Sequence, residues 1–173
     1  KGTPINPTNL FIPIANPVLT GDGNDVIIAN FLLGKGFTPV QVAAMMANIY
    51  SESTYRNTAF GKKYECYGIC QWCVKAGGRG TKLLEYAKAK GKSWQDLDLQ
   101  LEFFMGEIKQ EGDAVAYTSS YVYVMDKLAT YSENDIQDAV YYYCMTYERP
   151  GEASCAGRKN AGVGKEWLDK INA

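Results

Sequence analysis

The sequence predicts a predominantly helical domain, and three observations carry that expectation. Apolar residues recur at helical spacing through most of the chain, capping residues and glycines punctuate those segments, and regular strand-helix alternation is absent downstream of the central cysteines. With 173 residues, 46% of them hydrophobic, the chain can bury a substantial core, and no linker-like stretch divides it.

Residues 1–20 contain Pro4, Pro7, Pro13 and Pro17 and read as an extended arm ahead of one domain spanning 21–173. Asp25 to Leu33 is an apolar helix stopped by Gly34 and Gly36. The next helix, Thr38 to Tyr50, has the fullest start signal: a Thr38/Gln41 capping box, Pro39 at the first helical position and a Phe37/Val42 staple. Thr81 to Lys90 is amphipathic and ends at Gly91. Ser93 and Asp96 cap the following helix, whose apolar face includes Leu97, Leu101, Phe104, Met105 and Ile108. Tyr121 to Met125 is ambiguous between strand and helix. Ser132 with Asp135 caps a helix through Ile136, Val140 and Tyr143 to Tyr147, and Lys165 to Ile171 forms a last short one.

The helix from Thr38 carries chemistry at its far end. Val42, Met45, Met46 and Ile49 form an apolar stripe, and Glu52 continues it three residues past Ile49. An acid there is partly desolvated and sits at the negative end of the helix dipole, and both effects favour its neutral form. A carboxyl kept neutral near pH 7 is what protonates a leaving glycosidic oxygen.

Asn48-Ile49-Tyr50-Ser51-Glu52-Ser53-Thr54 is followed by Tyr67-Gly68-Ile69-Cys70-Gln71-Trp72, by Gly78 and Arg79, by Leu97-Asp98-Leu99-Gln100-Leu101 and by Tyr147-Glu148-Arg149-Pro150-Gly151. In this order the blocks resemble the phage tail lysozyme family, within the lysozyme-like superfamily that includes goose-type lysozymes and lytic transglycosylases. The resemblance runs from about Asp25 to Gly151. It implies an α+β fold, mostly helical, with a small β-hairpin after the catalytic helix, for which Thr54 to Cys66 is the available segment.

The same resemblance implies cleavage of the β-1,4 linkage between N-acetylmuramic acid and N-acetylglucosamine in peptidoglycan, with Glu52 as the acid and no cofactor. Gln71 is then the motif residue facing substrate. Tyr147 matches a tyrosine closing the cleft floor, and Tyr55 and Trp72 suit packing against sugar faces, although core packing explains all three equally. No second carboxylate is plainly signalled; Glu65 is the best placed in sequence, with Glu148 and Asp113 behind it. Lytic transglycosylases dispense with one by using a single Glu as acid and then base. Hydrolysis is favoured because the resemblance is to lysozymes.

Starting at Lys1, the chain is expected to be a piece of a larger cell-wall-penetrating protein or assembly, working outside the cell, at the wall or on a phage particle. Its 18 basic and 19 acidic residues argue against nucleic-acid binding, and no apolar run approaches membrane-spanning length. The five cysteines leave alternatives open. Cys66, Cys70 and Cys73 have the spacing of a radical S-adenosylmethionine cluster motif, and with Cys144 they could form a four-cysteine zinc site. Outside the cell, disulfides are more economical. Cys144 near a helix end and Cys155 past Gly151 can pair through a short loop, Cys66 and Cys73 can close the motif between them, and Cys70 reads as a buried free thiol.

Overall fold

In the computed structural model, which describes residues 18–173, the capping box at Thr38 is complete. The Thr38 amide donates to Gln41 Oε1 (2.7 Å), and Thr38 Oγ1 accepts from the Gln41 amide (3.2 Å). Gln41 Nε2 also reaches the Met125 carbonyl at 2.8 Å, so the cap anchors the helix to a distant segment as well. The helix it starts, α2 (Pro39–Ser53), follows α1 (Asn24–Gly34) and is the axis of the fold. Every residue from Val40 to Ile49 is buried. The apolar stripe is therefore wider than the sequence implied, because Ala43, Ala44 and Ala47 let neighbours approach the other faces.

Around α2 pack α1 and the later helices α5 (Val122–Leu128), α6 (Ile136–Tyr143), α7 (Glu152–Asn160) and α8 (Val163–Asn172). Between them in sequence, α3 (Arg79–Lys90) and α4 (Leu97–Ile108) form a second layer, with 3-10 turns at Asp113–Tyr117 and Glu133–Asp135. The ambiguous segment after Tyr121 is helical. Ser93 and Ser132 do not cap as expected: Ser93 Oγ accepts from Gln95 in the preceding turn, and Ser132 Oγ donates to the Asp135 carboxylate. The helix at Glu152–Asn160 was not foreseen, since its Gly, Ala and Ser content carries little apolar signal.

The expected hairpin is a three-stranded antiparallel sheet of two-residue strands, β1 (Phe60–Gly61), β2 (Cys66–Tyr67) and β3 (Trp72–Cys73). It extends past Cys66 to include the end of the second motif. Cys66 lies directly opposite Cys73 and is disulfide-bonded to it. Strands this short show no alternation, and so the sequence could not announce them. Of the expected N-terminal arm, 1–17 lie outside the described residues; Leu19 exchanges two backbone hydrogen bonds with the Asn30 side chain (3.0 and 2.9 Å). Among the described residues no helix is long and apolar enough to cross a membrane.

Candidate active site

Glu52 sits in the last turn of α2, its side chain 16% exposed. Thr54, the helix cap, and Tyr55 after it both have left-handed backbones (φ 50° and 64°), turning the chain sharply away from the acid. Ser53 is buried, and its Oγ contacts the carbonyls of Ile49 (3.1 Å) and Ile69 (2.8 Å). That hydroxyl ties the end of α2 to the Tyr67–Trp72 loop. The tie joins the helix end that carries Glu52 to the segment that carries Gln71.

The loop is held from its other side by Gln100 of α4, which is fully buried. Its Oε1 accepts from the Ile69 amide (2.9 Å), and its Nε2 donates to the carbonyls of Asn57 and Trp94 (both 2.7 Å). Gly68 has φ +78°, and a Cβ there would lie 2.6 Å from Gln100 Oε1. Glycine is needed on both counts. Gln100 is a structural part of the site that sequence reading quoted within a block but gave no role. Gln71, half-buried with φ 51°, donates from Nε2 to the carbonyls of Gly68 (2.9 Å) and Ala59 (3.2 Å). Its amide donors serve the loop, which leaves Oε1 as its acceptor.

Trp72 and Tyr147 lie beneath this surface, 1% and 0% exposed. Trp72 Nε1 donates to Glu107 Oε1 (2.7 Å), as does the Tyr147 hydroxyl (2.6 Å). Arg79 pairs with both Glu107 oxygens, at 2.7 and 3.0 Å, donates to the Tyr147 carbonyl at 2.9 Å, and stacks over the Tyr147 and Tyr121 rings. Glu107 is thus a buried charge with full hydrogen bonding, which offsets its desolvation. Neither Trp72 nor Tyr147 presents a ring face to solvent; both bond to Glu107 in the interior. Tyr55 packs against Tyr50 and Trp167, and its hydroxyl accepts from Trp167 Nε1 at 2.8 Å. Burial pushes that phenol up to about 12.

One partner of Glu52 was not foreseen. Arg158, on α7, donates from one guanidinium nitrogen to Glu52 Oε1 (2.5 Å) and from another to Asn48 Oδ1 (2.9 Å). Asn48, fully buried one turn before Glu52, uses its Nδ2 on the Ala44 and Val140 carbonyls, so its oxygen faces the guanidinium. The expectation of a neutral acid rested on the apolar stripe and the helix end alone; the carboxyl also meets a cation. The disulfide between Cys144 and Cys155 fastens α7, three residues before Arg158, to the π-helical turn Cys144–Glu148 that ends the α6 segment.

Glu148 ends that turn. Its Oε1 is sealed from solvent and has no hydrogen-bond partner. Burial, reinforced by the charge of Glu52, holds its carboxyl well above the usual carboxylate range. Glu65 is 39% exposed and ion-paired with Lys75 (3.2 Å). Asp113 pairs with Lys90 at 3.0 Å on the surface. Two concavities of about 300 and 310 Å³ lie beside Arg79 and Tyr86, and Glu52 lines neither.

The cluster and zinc readings required free thiols at Cys66 and Cys73, and zinc also needed Cys144. All three are in disulfides. Cys70 is buried and free, and desolvation, followed by the charges of Glu148 and Glu107, pushes its thiol well above its usual range.

Residues 23–171 match the family model described as phage tail lysozyme, and the chain belongs to that family. No curated protein matches it. Membership assigns the domain a lysozyme-like, peptidoglycan-degrading role in general.

Proposed function

We propose that the domain is a muramidase, hydrolysing the β-1,4 linkage between N-acetylmuramic acid and N-acetylglucosamine of bacterial peptidoglycan, with Glu52 as general acid. The observation that carries this reading is the placement of Glu52: a mostly shielded carboxyl at the end of a buried helix, tied through Ser53 to the loop bearing Gln71. Such an acid is held in position without reorganisation when the glycosidic oxygen takes its proton. Gln71 Oε1 accepts from a sugar hydroxyl or acetamido group, Tyr55 flanks the same helix end, and Trp72 and Tyr147 support the floor. The domain works on glycan strands at the cell wall as part of a larger wall-penetrating phage tail assembly.

Mass spectrometry of glycan fragments released from purified cell walls tests the reaction. Reducing muramic acid ends support hydrolysis; anhydromuramic ends, lighter by one water, would instead establish a lytic transglycosylase. No cleavage of walls of several chemotypes by folded protein would defeat both.

A further inference from the structure

Helix α7 has little apolar surface to dock it. Of its nine residues only Cys155 is buried, and none carries an aromatic or long aliphatic side chain. A helix of that length is marginal on its own and owes its place to tertiary contacts. The Lys159–Asp138 ion pair (2.9 Å) lies near the surface, where such pairs contribute little. The Cys144–Cys155 disulfide is the covalent attachment, and Arg158 is the side chain that it delivers. Three residues after Cys155 on the same helix, Arg158 lies on the face that the bridge turns inward, and its side chain is 10% exposed.

The guanidinium spans two acceptors one helical turn apart on α2. One of its nitrogens donates to Glu52 Oε1 (2.5 Å), the other to Asn48 Oδ1 (2.9 Å). A planar fork bonded at two points is fixed in direction, as a single ammonium is not. Asn48 is itself immobilised. It is fully buried, and its Nδ2 donates to the carbonyls of Ala44 (2.9 Å) and Val140 (3.2 Å), so Oδ1 is left for the arginine. Asn48 thus holds one arm of the guanidinium, and the other arm holds Glu52.

We infer that Arg158 is the positioning residue for the catalytic acid, a clamp seated on Asn48 that fixes the Glu52 carboxyl by its Oε1 and presents Oε2 to the glycosidic oxygen. The inference rests on the function proposed above. Glu52 is a long side chain in the last turn of its helix, and without such a hold its carboxyl would sample several directions. Oε1 accepts a hydrogen bond whether the group is a carboxylic acid or a carboxylate, so the clamp persists while the proton on Oε2 leaves and returns. A reacting group held in this way meets the substrate already oriented, and small errors of placement are costly in rate.

Steady-state cleavage of soluble oligomers of alternating N-acetylglucosamine and N-acetylmuramic acid tests the clamp in wild type, Glu52→Gln, Arg158→Ala and Arg158→Lys, with folding checked by circular dichroism. Arg158→Ala should lower kcat by about tenfold or more and change KM by less than about twofold, because the aim of the acid is lost and binding of substrate is not. Arg158→Lys should recover part of kcat, since its ammonium reaches one acceptor without the fork that spans two. Loss of packing alone would lower the melting temperature and leave kcat of the folded protein at the wild-type value, and that result overturns the inference. So does a raised KM at unchanged kcat, which would make Arg158 a substrate contact. If Arg158→Ala does not fold, Arg158→Lys decides: a wild-type kcat there overturns the two-armed clamp. Undiminished cleavage by Glu52→Gln defeats the proposed function itself, whereas an inactive Glu52→Gln beside a fully active Arg158→Ala defeats this inference alone.

Discussion

Arg158 grips Glu52 across 106 positions of sequence, its guanidinium 2.5 Å from the carboxyl and its second arm on Asn48. The bond joins a helix beyond the end of the recognisable motif series to a residue of its first block. It makes the surroundings of the acid a property of two helices, one of them anchored by a disulfide.

Replacing Glu52 by Gln should abolish wall cleavage, by about a hundredfold or more, the scale of a positioned acid. The amide retains the volume, and circular dichroism should show an intact fold. Turbidity clearance of purified walls measures the loss; near-normal clearance by folded Glu52→Gln ends the glycosidase reading.

Arg158→Ala removes the cation and leaves Asn48 Oδ1 buried without its donor. Activity should fall by about tenfold or more, because the carboxyl loses the partner that fixes its position. Clearance of walls at the wild-type rate by folded Arg158→Ala would show that Arg158 does not position the acid.

Glu65→Gln tests whether Glu65 is the second carboxylate. With Glu65 ion-paired to Lys75 and part exposed, its loss should reduce kcat less than fivefold. A fall of orders of magnitude with KM unchanged would make it the base or nucleophile after all.

The burial of Glu148 makes stability depend on pH, with a definite sign. An unfolded Glu titrates near about 4.3, and the folded one well above its usual range, so between those values the folded state binds more protons. Its contribution is fully present below about pH 4.3 and is lost as pH rises through the folded value. Thermal scans should show that decline in wild type and a flatter curve in Glu148→Gln; a parallel decline in both would exclude Glu148 as the source.

Reducing the Cys144–Cys155 bridge, with a sequence separation of 11, should cost about 3 kcal/mol by loop-entropy reasoning. Since it also releases α7 from the turn carrying Glu148, activity should fall before the fold is lost. The Cys144→Ser/Cys155→Ser pair, compared with wild type by urea unfolding and clearance, measures both effects. A double variant as active and stable as wild type would show the tether to be dispensable.

Local information was enough for the frame of this domain. The Thr38 box, Pro39 and the following apolar positions mark the start and course of α2 because capping and periodicity act within a turn or two. The same short range places Glu52 at the helix end, and the cysteine spacing allowed both observed bridges. The order of the motif blocks indicated the family to which the chain belongs.

Partners set by long-range packing were not legible. Nothing near Arg158 in sequence indicates that it meets Glu52, and α7 has no apolar stripe to announce itself. Gln100 reaches Ile69 across 31 positions, and Glu148 gains its character only when α2, α3, α4 and α7 close around it. Trp72 and Tyr147 looked equally suited to a sugar platform or a core until Glu107 bonded both from below. Periodicity tells which face of a helix is turned inward. It does not tell which charge waits there, and at this site the ionisation of the carboxyls depends on those charges and on the exclusion of water.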